Sequence, residues 1–375
     1  MATDSKLRKR QPGGDRNNAR KKPAGMLTSI EIRGFRGFRH LQIPGLAPVT
    51  VFTGMNGAGK STMLEAILAL HGRFSPTWVL NLQGHHGLRN FSPASGPNYL
   101  GLFYGFSDAG SASIKGDFGD GLPRKLVVER SSGSQQGQLP PTAPSSTGIG
   151  TPIPDLICRA YKGPTLVNES ALGWTHNPPQ PTVRGGREAE RKAMLLHLTG
   201  QAAGDEEAER FGDAKAAGRA DRIIAAMQLL NESIQDVEFL RTTTGQYFAA
   251  KVDNLHRPLG FLGEGINNIF RLLVNLDTVR GGCLAIDEVG AGIHYSALER
   301  VFKALIKIAL EDKTQLVLTT HSAETLNAIG RAFSNRDENA LAVVHLERRK
   351  DDIVEAHVFR SADAVSSLRL GYEMR

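Results

Sequence analysis

Four short segments carry residue types that together suit the hydrolysis of a nucleoside triphosphate. In chain order they are GMNGAGKST at residues 54–62, FLGEG at 261–265, CLAIDE at 283–288 and TTHS at 319–322. They would supply a phosphate-binding loop, a glycine-rich switch segment, two adjacent carboxylates and a histidine that follows the next strand. The combined chemistry would be Mg²⁺-dependent attack of water on the γ-phosphate of a nucleoside triphosphate.

The first segment fits the phosphate-loop pattern G-x-x-x-x-G-K-[ST]. Its glycines let backbone N–H groups face the phosphates, Lys60 would meet the β/γ oxygens, and Ser61 would ligate Mg²⁺. A β-branched run at 48–53 precedes it and helical apolar spacing at 62–70 follows, which is the context that the motif requires. A glycine-rich surface turn is the alternative interpretation. The expected nucleotide contacts are Gly54, Asn56, Gly57, Ala58, Gly59, Lys60, Ser61 and Thr62.

The third segment is an apolar strand that delivers two acids at its carboxyl end. Asp287 is placed to hold Mg²⁺ through water, and Glu288 is placed to polarise the attacking water as general base. A further apolar strand at 315–320 ends at His321, which would reach the γ-phosphate or position Glu288. The alternatives are a solvated turn for the two acids and a capping role for the histidine. The predicted catalytic residues are therefore Lys60, Glu288 and His321.

Composition limits the class of protein. With 375 residues and 40% apolar content, the chain can bury a large core in one large or two modest domains. No apolar stretch approaches the roughly 18 residues that span a bilayer, and no hydrophobic segment follows the N-terminal charges. Two cysteines, Cys158 and Cys283, are too few for a disulfide framework. We expect a cytoplasmic protein with no membrane partner.

The net charge of +7 is concentrated at the N-terminus. Residues 1–25 hold eight Lys/Arg against two Asp, whereas the remaining residues hold 37 basic and 36 acidic groups. We interpret residues 1–25 as a disordered basic tail. Such a tail would add salt-sensitive affinity for DNA, or it is a solubilising extension.

Hydrophobic patterning predicts the elements that must position these motifs. Two strands before the phosphate loop predict an antiparallel β-layer beside the nucleotide. Composition rich in Ser, Gly and Pro predicts a flexible loop at 131–153. The other predicted elements are strands at 27–35, 38–43 and 124–130, helices at 187–199, 219–231 and 266–276, and a hairpin at 235–252.

The motifs resemble those of a known group of ATPases. The GxNGxGKST loop, the strand ending in Asp-Glu, GIHYS at residues 292–296 and TTHS are similar to ABC-type P-loop ATPases of the RecF, SMC and overcoming-lysogenization-defect (OLD) group. Within it, the chain most resembles stand-alone bacterial AAA-type ATPases, such as those of PARIS-type and Septu-type defence systems. The resemblance covers about residues 27–117 and 235 to the C-terminus. Only 54 residues follow His321, so we expect no Toprim nuclease domain.

The resemblance implies an α/β, P-loop NTPase fold. It predicts an ABC-ATPase-like head with a mainly parallel core sheet, an antiparallel β-layer and a helical lateral insertion. After the tail, the chain would divide into an N-terminal lobe at 26–130, which carries the phosphate loop (Walker A), and a flexible loop and helical insertion at 131–234. A C-terminal lobe at 235–375 would carry the signature-like motif at 261–265, the Walker B motif at 283–288 and the switch histidine, His321.

The resemblance also implies that two subunits sandwich ATP. Lys60, Ser61, Asp287, Glu288 and His321 would act within one subunit, while Gly263, Glu264 and Gly265 would contact the γ-phosphate held by the other. Phe261 and Leu262 stand where relatives usually carry a serine, and Gln83 is the candidate for the loop that couples the nucleotide to the lateral domain.

The leading hypothesis is a Mg²⁺-dependent ATPase that forms a homodimer or higher homo-oligomer on ATP. It would switch a separately encoded effector, a nuclease or toxin, in bacterial anti-phage defence. One alternative is a RecF-like repair ATPase that clamps DNA. Another is a non-hydrolysing scaffold that holds ATP as a structural ligand.

Overall fold

The computed structural model describes residues 25–72, 101–106, 110–130, 154–174, 181–185, 191–198, 204–243, 245–333 and 340–360. The predicted tail up to residue 24, the predicted loop at 131–153 and the candidate coupling residue Gln83 lie outside these ranges.

A six-stranded sheet forms the centre of the molecule, with strand order β16-β15-β3-β14-β13-β9. Five of its strands run parallel, and β16 pairs antiparallel at one edge. The strands are β3 (Val49–Thr53), β9 (Ala193–His197), β13 (Cys283–Asp287), β14 (Gln315–Thr319), β15 (Leu341–Arg348) and β16 (Val354–Arg360). Because parallel strands present their carboxyl ends at one edge, the phosphate loop, Asp287 and Thr319 emerge side by side.

Alternate residues of the central strands enter two separate hydrophobic clusters. Leu284 and Ile286 of β13 pack with the helices of the C-terminal half, whereas Cys283 and Ala285 pack with the first helix and the antiparallel layer. Burial on both faces explains why these strands are continuous apolar runs. The helices are α1 (Lys60–Leu70), α2 (Asp205–Ala216), α3 (Ala220–Gln228), α4 (Glu264–Thr278), α5 (Tyr295–Glu311) and α6 (Ala323–Phe333).

The predicted antiparallel layer is confirmed. A seven-stranded antiparallel sheet with strand order β2-β1-β4-β5-β6-β7-β8 shares one core cluster with α1, the helix of the phosphate loop. Its strands are β1 (Ser29–Phe35), β2 (Phe38–Ile43), β4 (Ser111–Asp117), β5 (Arg124–Arg130), β6 (Pro154–Lys162), β7 (Thr165–Trp174) and β8 (Pro181–Gly185). The α/β class with a mainly parallel core sheet is therefore correct.

The hairpin predicted over 235–252 is also confirmed. It is formed by β10 (Ile234–Thr242) and β11 (Gly245–Val252), and β12 (Leu255–Pro258) adds a third antiparallel strand. A 3₁₀ turn at Leu259–Leu262 then leads into α4, which contains the helix predicted at 266–276. In the ranges that the structure describes, no helix combines the length and apolar character needed to cross a membrane.

The helix predicted at 187–199 is wrong over its described part. Residues Ala193–His197 form β9, which pairs in parallel with β13. A short apolar run has no periodicity that separates a helix from a buried strand, and here the free edge of β13 supplies hydrogen-bonding partners. The region 131–234, predicted as a loop and a helical insertion, accordingly holds β6 to β9 in addition to α2 and α3.

Candidate active site

The phosphate loop connects β3 to α1 through three glycines with positive φ. These angles are 137° at Gly54, 79° at Gly57 and 98° at Gly59, a region that L side chains rarely adopt. A Cβ at Gly54 would lie 2.2 Å from the carbonyl oxygen of Leu346, and one at Gly59 would lie 2.6 Å from Cζ of Phe38. Neighbouring elements therefore fix the curvature of the loop and exclude side chains at two of its glycines.

Lys60 is the first residue of α1, and its ammonium turns back over the loop. Nζ donates to the carbonyl oxygens of Gly54 at 2.9 Å and Met55 at 3.3 Å, and the residue is buried. Within the same loop Asn56 and Gly57 are exposed and Ala58 is buried. A lysine ammonium beside a helix N-terminus suits a polyphosphate, because N-terminal amides and the helix dipole favour negative charge.

Ser61 and Asp287 join the two halves of the predicted site. The Ser61 hydroxyl donates to Oδ2 of Asp287 at 2.9 Å, and the Thr319 hydroxyl donates to Oδ1 at 2.6 Å. A hydroxyl and a carboxylate are oxygen donors of the kind that Mg²⁺ takes alongside water and substrate phosphates. The described residues contain no group of three or more His, Cys, Asp or Glu able to hold a metal unaided. Ser61 and Asp287 therefore suit a metal ion that also takes ligands from a bound nucleotide, rather than one coordinated by protein side chains alone.

Glu288 adopts a left-handed backbone conformation with φ 52°. Its N–H donates to the Thr319 hydroxyl at 2.8 Å, and the next N–H, of Val289, donates to the Thr319 carbonyl at 2.9 Å. Its side chain reaches His321, where Oε2 lies 2.7 Å from Nδ1. The general-base candidate and the switch histidine thus form one pair at the carboxyl end of the sheet.

The signature-like segment Gly263–Gly265 lies against the loop that follows Glu288. A Cβ at Gly265 would lie 2.9 Å from the carbonyl oxygen of Gly292, and Nδ2 of Asn268 donates to the carbonyl of Ala291 at 3.0 Å. Gly263 caps α4 with φ 107°. The segment takes no part in the hydrogen bonds that join Ser61, Asp287 and Glu288, so its contact with a nucleotide of another subunit stays a prediction.

Sequence reasoning missed two side chains beside Asp287. Thr319 lay in the TTHS segment, where only the histidine received a role. His197 is the last residue of β9 and pairs with Asp287 in the strand register, with its Nδ1 3.7 Å from Oδ2 of Asp287. It received no role because it lies within the helix predicted at 187–199. The apolar run 193–196 ending in a histidine was the available signal.

Two family models match the chain. An "AAA domain" model matches residues 29–87, and a model described as "AAA domain, putative AbiEii toxin, Type IV TA system" matches residues 160–327. The chain is also similar to an "ATP/GTP phosphatase" of Helicobacter pylori (strain ATCC 700392 / 26695). The two are 21% identical over 334 residues, which cover 83% of this chain and 90% of that protein.

Three solved structures of SMC head domains are similar at low identity. The head domain from Thermotoga maritima has a TM-score of 0.42 at 14% identity, covering 89% of this chain and 99% of that one. An SMC head bound to the C-terminal winged-helix domain of ScpA has 0.48 at 12%, covering 90% and 99%. One with an extended coiled coil, bound to the C-terminal domain of ScpA from Pyrococcus furiosus, has 0.47 at 10%, covering 93% and 100%. Because none of the three TM-scores exceeds 0.48, the fold assignment rests on the strand order of the sheets and on where the motifs lie in them. Together with the two AAA-domain matches, these features are those of a P-loop ATPase.

Proposed function

We propose that this chain is a Mg²⁺-dependent ATPase that pairs two copies around ATP and thereby switches a separately encoded effector in anti-phage defence. The observation that carries the hydrolytic part is the continuous set of hydrogen bonds from Ser61 through Asp287 and Thr319 to Glu288. These bonds bring the phosphate loop, the Asp287 carboxylate and Glu288 together at one edge of the sheet, which supports a metal-binding role for Asp287 and a general-base role for Glu288.

The residues have separable roles in the proposed reaction. Glu288 accepts a proton from water as the water oxygen bonds to the γ-phosphorus. The bond from phosphorus to the bridging oxygen breaks, which leaves ADP and phosphate. Lys60 offsets charge on the phosphate oxygens, and His321 orients Glu288. Mg²⁺, held by Ser61 and Asp287, would supply further neutralisation of the phosphate charge when bound.

The comparisons support two parts of this proposal. The Helicobacter pylori relative is named an ATP/GTP phosphatase, which supports hydrolysis of a nucleoside triphosphate by this chain. The family model over residues 160–327 carries the description of a putative AbiEii toxin of a type IV toxin–antitoxin system, which supports a role in defence. A nuclease or toxin gene beside this one would support the effector, and neighbouring replication or repair genes would argue against it.

Exposed apolar side chains support the pairing of two copies. Among the described large hydrophobic residues, Phe261 and Met55 are the most exposed, at 87% and 83%. Met55 lies within the phosphate loop, and Phe261 lies two residues before Gly263. Aromatic residues and methionine are enriched in the buried centres of protein–protein interfaces, so both side chains suit a contact with a second copy. In the proposed dimer, each phosphate loop faces the signature-like segment of the partner copy.

Two measurements test the proposal. Steady-state release of phosphate from Mg²⁺-ATP should fall roughly 10²- to 10⁴-fold in Glu288→Gln, while binding of a fluorescent ATP analogue is retained. Unchanged hydrolysis in this variant would remove the catalytic assignment. If the wild-type protein binds ATP but does not hydrolyse it, the result would instead favour the alternative of a non-hydrolysing scaffold that holds ATP as a structural ligand.

The second measurement is light scattering of Glu288→Gln with and without Mg²⁺-ATP. We expect the mass to double with the nucleotide, and Phe261→Asp to prevent the increase because it places a charge in the interface. Phe106→Asp is the matched control, since Phe106 is 73% exposed but lies on none of the four motif segments. A monomer under both conditions would contradict the paired state.

A further inference from the structure

We infer that Thr319 is a positioning residue whose single hydroxyl sets the orientation of both site carboxylates, Asp287 and Glu288. This inference rests on the proposed function of the site and adds to it a residue that acts through its neighbours. Thr319 is the last residue of β14 and is completely buried.

The two partners of the Thr319 hydroxyl fix the direction of both of its hydrogen bonds. A hydroxyl has one hydrogen to donate, and here it points to Oδ1 of Asp287 at 2.6 Å, since a carboxylate can only accept. The oxygen accepts from the N–H of Glu288 at 2.8 Å. Hydrogen bonds to a carboxylate are shorter and stronger than neutral ones, so the bond to Asp287 is the stronger of the two.

The bond to Asp287 fixes the orientation of its carboxylate relative to the phosphate loop. Because Oδ1 is held by Thr319, Oδ2 is the oxygen presented to Ser61 at 2.9 Å. Without the hydroxyl the carboxylate would rotate about its last torsion, which is broad for this type of side chain. The expected consequence is weaker Mg²⁺ binding, because the two protein oxygens would no longer be pre-positioned.

The bond to Glu288 holds a backbone conformation that ordinary residues avoid. Its φ of 52° is strained for a residue other than glycine, and it persists only where surrounding contacts stabilise it. The Thr319 hydroxyl and carbonyl hold two consecutive N–H groups, of Glu288 and Val289. This conformation directs the Glu288 side chain to His321, where Oε2 and Nδ1 are 2.7 Å apart.

Thr50 offers a matched control for the loss of a buried hydroxyl. It lies on β3, the strand next to β14, where it pairs with Val317, and it is completely buried. Its hydroxyl donates to the carbonyl of Ala47 at 3.0 Å and accepts from the N–H of the same residue at 3.0 Å. Thr50→Val therefore removes one donated and one accepted bond from the same sheet without contacting either carboxylate.

The test compares Thr319→Val, Thr319→Ser and Thr50→Val in the full chain. Partners that orient metal ligands typically contribute 10- to 100-fold, so in Thr319→Val we expect kcat to fall by roughly that factor with a small change in KM for ATP. The Mg²⁺ concentration that half-saturates binding of a fluorescent ATP analogue should rise by roughly 10-fold. Thr319→Ser, which keeps the hydroxyl, should stay within about threefold of wild type, and so should Thr50→Val.

Equal losses in Thr319→Val and Thr50→Val, or wild-type kcat and Mg²⁺ dependence in Thr319→Val, would overturn the inference. If Thr319→Val does not fold, Thr319→Ala removes the hydroxyl without placing a methyl group against the carboxylate, and the same losses are expected. If wild type shows no turnover, the proposed function fails, while the Mg²⁺ titration of nucleotide binding still decides the role of Thr319.

Discussion

The hydroxyl of Ser61 lies 2.9 Å from Oδ2 of Asp287, although 226 residues separate them along the chain. This bond connects the helix after the phosphate loop to the end of β13. It places the two predicted metal ligands together at the edge of the central sheet where the parallel strands end.

Replacing Ser61 with alanine should weaken the dependence of nucleotide binding on Mg²⁺, because one of the two protein oxygens is lost. We expect the half-saturating Mg²⁺ concentration for binding a fluorescent ATP analogue to rise roughly 10- to 100-fold. Ser61→Thr keeps the hydroxyl and fits the loop pattern, so it should stay near wild type. Equal Mg²⁺ dependence in the alanine and threonine variants would show that Ser61 does not contact the metal.

Replacing His321 with alanine should lower kcat by roughly 10- to 100-fold and leave ATP affinity nearly unchanged, since its contact is with Glu288, the proposed general base. Phosphate release and nucleotide binding, measured separately, distinguish these effects. His357→Ala removes a second histidine paired with a glutamate, with Nε2 3.7 Å from Oε2 of Glu347. It lies on β16, outside the four motif segments, and should leave kcat unchanged. A loss of kcat equal in both variants would contradict a catalytic role for the His321 pair.

Alanine at Gly54 and at Gly57 should have unequal effects. Both glycines have positive φ, but only at Gly54 would the new Cβ meet backbone, 2.2 Å from the carbonyl oxygen of Leu346, whereas nothing lies within 4 Å at Gly57. We expect Gly54→Ala to lower the free energy of unfolding by about 1 to 3 kcal/mol and to abolish ATP binding. Gly57→Ala should lower the free energy of unfolding only by the cost of placing alanine at positive φ, about 1 kcal/mol. Chemical denaturation and ATP binding measure both, and a larger loss at Gly57 would refute the described loop packing.

Burial of His71 should make stability depend on pH. Removal from water lowers the pKa of its imidazole to about 4, although Nδ1 donates to the carbonyl of Ile67 at 2.9 Å. The unfolded chain binds a proton near pH 6.5 and the folded chain does not, so this contribution to stability is complete above pH 6.5. It is lost as pH falls towards 4, by up to about 3 kcal/mol.

His71→Leu cannot titrate, so the difference in unfolding free energy between wild type and variant should shift in favour of the variant from pH 7.5 to pH 4.5. Urea denaturation at several pH values measures this difference, and His71→Gln provides a second non-titrating variant. A constant difference across this pH range would show that the imidazole titrates alike in the folded and unfolded chains, which would contradict the lowered pKa.

The sequence predicted the elements whose signals are local. The glycine spacing of the phosphate loop, the apolar runs that lead to Asp287 and to His321, and the hairpin pattern at 235–252 each specify a structure from nearby residues alone. The predicted β-layer before the phosphate loop followed from two alternating strands for the same reason.

The missed features depend on partners far away in sequence. Residues Ala193–His197 become a strand because β13, some 90 residues later, offers a free edge. The role of Thr319 depends on the register between β14 and β13, which places its hydroxyl beside Asp287 and the N–H of Glu288. Neither register nor edge pairing is encoded in a short stretch of sequence.

The most direct test of the site is a crystal structure of Glu288→Gln with ATP and Mg²⁺. We expect the triphosphate within the phosphate loop, its γ-phosphate in contact with Nζ of Lys60, and the metal ion bound by Ser61 on the side facing Asp287. A nucleotide bound elsewhere, or a γ-phosphate remote from the end of β13, would contradict the proposed site.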